Sequence, residues 1–292
     1  MDIWAIVVPL LRIALYVATF GALGTQLFIW HFGGGLSSTG HAYCRRLIAN
    51  SSVVGAIICV SLWLAVAGNM SGTITGIFDP IMLQLAFEAS TGVAALLSLA
   101  GFILFFVGGA ATHLWHRLLP VMGSLLLLLS FSISGHVTRG GFITQLLLGV
   151  HLVGLTYWLG ALLPLRKLCL EPNKTGLVEI AHRFGIYAFI YIGALVLSGA
   201  TYAYLLLGSL SALVTTTYGN VLLAKIGTVS VLLLLGAINK FKLVPLLRQD
   251  IPEGAKKLYT SIQWELIAVV IILFLTSLLT TSLNLPMAMM GG

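Results

Sequence analysis

The chain has 292 residues, 59% of them hydrophobic and only 8% charged, with a net charge of +7. A soluble domain carries about 25% charged residues, so an ordinary soluble fold is excluded and lipid must cover most of the surface. One bundle then accounts for the length, since each transmembrane helix uses roughly 20 residues plus a short loop.

Eight apolar stretches are read as membrane-spanning helices, at about residues 4–30, 51–67, 80–110, 118–135, 142–165, 184–207, 221–239 and 263–283. Each is long enough for a hydrocarbon core of about 30 Å, and none alternates with the two-residue period of a barrel strand. The first stretch follows Met1 and Asp2 without the basic segment of a signal peptide, so it is read as a permanent helix. The expected fold is an all-α integral membrane bundle of eight transmembrane helices, one domain over residues 1–292.

Lysine and arginine set the expected orientation. Twelve of the fifteen lie in alternate loops: Arg45 and Arg46; Arg117; Arg166, Lys167, Lys174 and Arg183; Lys240, Lys242, Arg248, Lys256 and Lys257. The positive-inside rule assigns those loops to the cytoplasm and both termini to the opposite face. The basic balance is thus a topology signal, and no nucleic-acid partner is expected. A weak four-plus-four repeat is suggested by Gly21-Ala22-Leu23 and Gly160-Ala161-Leu162, but chance similarity between glycine-rich apolar helices is the better explanation.

Ionisable groups inside a membrane are costly and need a partner or a task. Arg12, Glu88, His151 and Lys225 are the candidates, with Arg139 beside a span. At 1.5 Å per residue, Glu88 and Lys225 sit roughly 10 Å below the outer interface, and His151 lies near the midplane. Two compatible readings stand: a structural pair between Glu88 and Lys225 or Arg12, and a polar cavity that opens outward and ends at His151. His151 and Trp158 share a helical face, and the indole would wall off the imidazole. Gly154 and Gly160 would let another backbone approach. His136, at the outer end of the preceding helix, would join His151 in one pocket.

Soft ligands are sorted by face. Met70, Met82, Met287, Met289 and Met290 fall at the outer side. His31, His41, His113, His116 and Cys44 fall at or near the inner side. Thioethers, thiolates and imidazoles suit copper, so the pattern fits copper entering at the methionines and leaving at the inner histidines. The bland alternatives are a frayed apolar tail for Met287–Met290 and ordinary interface roles for His113 and His116. Cysteines 44, 59 and 169 form neither a disulfide framework nor a zinc motif. No phosphate-binding loop or catalytic motif is present, so no enzyme is expected.

The chain resembles the bacterial copper resistance D (CopD/PcoD) family. The resemblance rests on Ser134-Gly135-His136, on His151 followed by Trp158 to Leu162, on His182-Arg183-Phe184, and on Ser198-Gly199. Tyr218 to Lys225, Ala237 to Pro245, and Trp264-Glu265-Leu266 continue it. It implies eight helices in the inner membrane with periplasmic termini, copper ion as cargo moving towards the cytoplasm, and a periplasmic partner of the CopC type. The family often has histidine in helix 1 where this chain has Arg12, leaving His136, His151 and methionine as the expected ligands. Glu88, Lys225, Arg12, Trp158 and Arg139 would line the polar cavity. Two other readings remain open: a haem b-binding electron-transfer protein with membrane histidines as axial ligands, and a non-transporting scaffold for a periplasmic copper carrier.

Overall fold

The computed structural model describes residues 3–110, 114–133, 141–207 and 211–282. Eight helices are long and apolar enough to span a membrane: α1 Trp4–Gly35, α2 Ser38–Ser71, α3 Ser90–Ala110, α4 Trp115–Ser132, α5 Gly141–Cys169, α6 Gly176–Leu205, α7 Thr217–Gln249 and α8 Ile251–Thr280. No strand occurs among the described residues, so the fold is all-α. The expectations placed on His113, His136, Arg139, Met287, Met289 and Met290 lie outside the described residues.

Local sequence explains where several helices begin. The Ser37 hydroxyl accepts the Gly40 amide at 2.9 Å and caps α2. Thr216 does the same for Gly219 at the start of α7. Asp250 accepts the Glu253 amide at 3.0 Å with Pro252 in the first turn, which opens α8. Each cap satisfies one of the amides that a helix start leaves without an internal partner.

Two corrections to the sequence expectation bear on function. The run at 80–110 is not one helix: a short helix, Pro80–Glu88, is separated from α3 by the extended residue Ala89. Glu88 therefore precedes the third span instead of lying within it. At the basic end, helices run well past the apolar windows. α8 starts at Ile251, twelve residues before the expected start, and α2 starts at Ser38. Hydropathy falls where lysine and arginine begin, but these residues are good helix formers and helical hydrogen bonding continues through them.

α1 stands between the two halves of the bundle. Leu15, Ala18, Ala22 and Leu23 join a core with α2, α3 and α4, while Tyr16, Phe20, Phe28 and Phe32 join the core of α5 to α8. A π-helical turn at Phe20–Gly24 brings α1 onto α5. A Cβ on Gly160 would lie 2.2 Å from the Gly24 Cα, so only paired glycines allow this crossing. Outward-facing side chains such as Ile57, Phe106, Phe189 and Val270 are exposed and apolar, as a surface against lipid requires.

Candidate functional site

His151 lies on α5 about 15 Å from its Gly141 end, at 1.5 Å per residue. Its Nδ1 is 3.0 Å from the Leu195 carbonyl oxygen on α6. A carbonyl only accepts, so Nδ1 carries the proton and Nε2 keeps its lone pair. Gly199 makes room for the ring, because a Cβ there would fall 2.7 Å from Cε1. Gly154, one turn away on α5, lets α6 approach: a Cβ there would sit 2.7 Å from the Tyr191 carbonyl oxygen. The Lys225 ammonium on α7 is near enough for its charge to act on the imidazole. Histidine ligands in metalloproteins are oriented in this way, with one nitrogen donating to a carbonyl and the other left for a metal.

Seven residues along α5, Trp158 shares the face of His151. The indole does not wall off the imidazole. Its Nε1 donates to Glu265 Oε2 of α8 at 3.0 Å, and the Glu265 Oε1 accepts from Asn239 Nδ2 of α7. Asn239 opens a π-helical turn, Asn239–Leu243, and Gly236 a turn earlier leaves space for the indole. Glu265 is 2% exposed and makes no ion pair within 4 Å; the ion pair among the described residues is Glu253 with Lys257 on the surface.

His31 of α1 lies within an aromatic cluster with Tyr157, Tyr187 and Tyr191. Its Nδ1 donates to the Leu27 carbonyl at 2.9 Å, which leaves Nε2 to accept from the Tyr191 hydroxyl at 3.1 Å. Tyr157 stacks on Tyr191 with centroids 4.1 Å apart, and its hydroxyl donates to the Phe184 carbonyl. Both nitrogens of His31 are thus engaged, and a metal would have to displace Tyr191. His41 bonds the Gly33 carbonyl through Nε2 at 3.0 Å and closes the α1–α2 turn.

The remaining expected site residues scatter. Met70 is half-exposed at the end of α2, and Met82 is half-buried on the short helix Pro80–Glu88. Glu88 is exposed and accepts from Gln84 at 3.1 Å. The expected pair with Lys225 or Arg12 does not form, because Glu88 lies on a separate short helix. Arg12 is half-buried on α1, and His116 is exposed at the start of α4. Cys44 is buried at the basic end near Glu171, whose carboxylate accepts from Ser37 and Thr39. No three histidine, cysteine or acidic side chains converge on a metal position among the described residues. A groove between α4, α5 and α6 measures about 550 Å³, is lined mainly by apolar side chains such as Leu128, Phe142 and Val153, and does not include His151 in its lining.

Glu265 and Asn239 were missed as site residues because the eighth span was expected from Gln263. That start put Glu265 at a membrane boundary, where a carboxylate is unremarkable. The capping pattern Asp250-Ile-Pro-Glu253 was the available signal for the earlier start.

Two family models match. Copper resistance protein D covers residues 178–279, and the copper resistance protein D-like N-terminal domain covers residues 1–145. The chain belongs to the copper resistance protein D family. The copper transport protein CutJ of Bacillus subtilis (strain 168) is 26% identical over 243 residues, covering 78% of this chain and 45% of CutJ. The chain therefore spans less than half the length of that relative. The inner membrane protein YebZ of Escherichia coli (strain K12) is 27% identical over 256 residues, covering 81% of this chain and 87% of YebZ. Copper resistance protein D of Pseudomonas syringae pv. tomato is 26% identical over 301 residues, covering 92% and 94%. No solved structure matches. In this copper resistance D chain, Lys225, Asn239 and Glu265 fall inside the C-terminal family match, whereas His151 and Trp158 lie between the two matched segments.

Proposed function

We propose that this protein carries copper across the bacterial inner membrane, from the periplasmic face that bears both termini towards the basic, cytoplasmic face. The observation that carries the reading is His151: its Nδ1–H is fixed on Leu195 and its Nε2 lone pair is left for a soft or borderline metal. Copper is the cargo, bound through imidazole at His151 and His136, with Met70 and Met82 as collecting thioethers. The orientation follows from the basic residues at one end of the bundle, and the inner-membrane placement from the relative named an inner membrane protein. A periplasmic copper-binding protein of the CopC type would dock at the end that carries the termini. The protein is a carrier and not an enzyme in this reading. Haem as the bound group is less favoured, since His31 has both nitrogens engaged and His151 has no described histidine opposite it.

The test is to replace His136 and His151 by alanine, singly and together, and to measure cellular copper and copper bound to purified protein. The double variant is expected to lose both uptake and stoichiometric binding. Unchanged uptake and stoichiometry would end the site assignment, and a Soret band in the purified protein would favour haem.

A further inference from the structure

A carboxylate buried inside a membrane bundle that makes no ion pair needs a physical account. Glu265 lies near the middle of α8 and is held by two neutral donors, Trp158 Nε1 and Asn239 Nδ2. The charged groups on the helices packed around it are directed elsewhere. Arg166 of α5 bonds the Tyr259 hydroxyl at 2.9 Å, and Lys240 of α7 lies over the rings of Phe189 and Phe241. Lys225 of α7 is close enough to His151 for its charge to act there. Arg12 of α1 and Arg248 of α7 make no ion pair with Glu265. From α5 the group facing the carboxylate is Trp158, from α7 it is Asn239, and on α8 itself Ser261 lies one turn away on the same face.

Two polar atoms beside this carboxylate are incomplete. Asn239 Oδ1 and Ser261 Oγ are buried and have no hydrogen-bond partner. Orphaned polar atoms cost free energy, and a native structure that keeps them needs a reason. Here the reason is available in the chemistry of the pair. A side-chain amide presents a donor on one side and an acceptor on the other. With Glu265 ionised, the amide must turn its NH2 to the carboxylate, which strands Oδ1. With Glu265 protonated, the amide can turn over so that the carboxylic O–H donates to Oδ1. The acid's other oxygen still accepts from Trp158. A proton taken from solvent thus removes the buried charge and gives Oδ1 a partner, while the Asn239 NH2 turns to the side that Oδ1 had occupied.

We propose that Glu265 and Asn239 form a proton-binding site in the core of the bundle, loaded as the Asn239 amide turns over. Its position on a π-helical turn suits the motion, since such turns hold a local excess residue within an otherwise regular helix. Ser261, one turn along α8 towards the basic end, adds a buried and unpartnered hydroxyl on the same face as Glu265. If the protein moves copper as proposed above, this site lets an oppositely moving proton compensate the charge; that clause rests on the copper reading, whereas proton binding does not.

Infrared difference spectroscopy of purified, copper-free protein between acid and alkaline buffer tests the proposal. The wild type is expected to show a protonated-carboxylic-acid carbonyl band that disappears at high pH. Glu265→Gln keeps the shape, can accept from Trp158 and bond Asn239, and is expected to lose that band completely. Asn239→Leu is expected to keep the band but move it to higher frequency, because the acid has lost its acceptor. The Asn239→Leu measurement also stands alone should Glu265→Gln fail to fold. No titrating band in the wild type, a band that persists in Glu265→Gln, or one unmoved in Asn239→Leu would overturn the assignment. Copper is absent throughout, so failure here is distinct from failure of the copper site.

Discussion

The two halves of the bundle solve the same membrane problem by different means. α1 to α4 pack mainly apolar against apolar, with Phe102 fully buried against Gly55, and α3 meets α4 through a hydroxyl contact, Ser98 to Ser130 at 2.8 Å. α5 to α8 bury a carboxylate, an imidazole, an indole and an amide, and join them across helices. The carboxylate, imidazole, indole and amide that bond one helix to another lie in α5 to α8, so that half carries the chemistry while the other provides a scaffold. α1 belongs to both cores and transmits packing between them.

Substitutions in each half are expected to have different consequences. The largest effect is expected at the crossing of the halves: Gly160→Val would drive side-chain atoms into the Gly24 backbone. Loss of the monodisperse folded protein in detergent is the expected result on size exclusion. Next, Phe102→Ala in the scaffold half should destabilise by about 3–5 kcal/mol, read from denaturant unfolding in mixed micelles, while copper bound per folded molecule stays unchanged. In the other half, Trp158→Phe leaves Glu265 Oε2 without its donor and should cost about 1–3 kcal/mol in the same assay. Gly199→Ala should matter more for function than for stability. It pushes against the His151 ring and should lower copper uptake several-fold, with a stability change of about 1 kcal/mol. The smallest effect belongs to Ser98→Ala, at about 0.6 kcal/mol, the average for hydrogen bonds between membrane helices.

Element number and type were legible in the sequence because twenty-residue apolar runs have few alternatives. The helix ends at the basic face were not, since hydropathy reports where lipid stops and not where the backbone stops being helical. Expecting α8 to begin at Gln263 made Glu265 look like a helix-end carboxylate, whereas α8 continues through it and packs it against Trp158 and Asn239. His151 was legible because a histidine in an apolar helix is conspicuous in any register. Its donor bond to Leu195 depends on how α6 packs and leaves no sequence mark beyond Gly199. The expected Glu88–Lys225 pair failed for a local reason: Ala89 is extended, and the chain that looked continuous from 80 to 110 bends there.

X-ray absorption at the copper edge, on protein loaded with one equivalent of copper, reads the role of His151 at the metal itself. Imidazole scattering is expected in the wild type and in Phe102→Ala, with loss of the His151 contribution in His151→Ala. A copper environment left unchanged in folded His151→Ala would rule out His151 as the ligand.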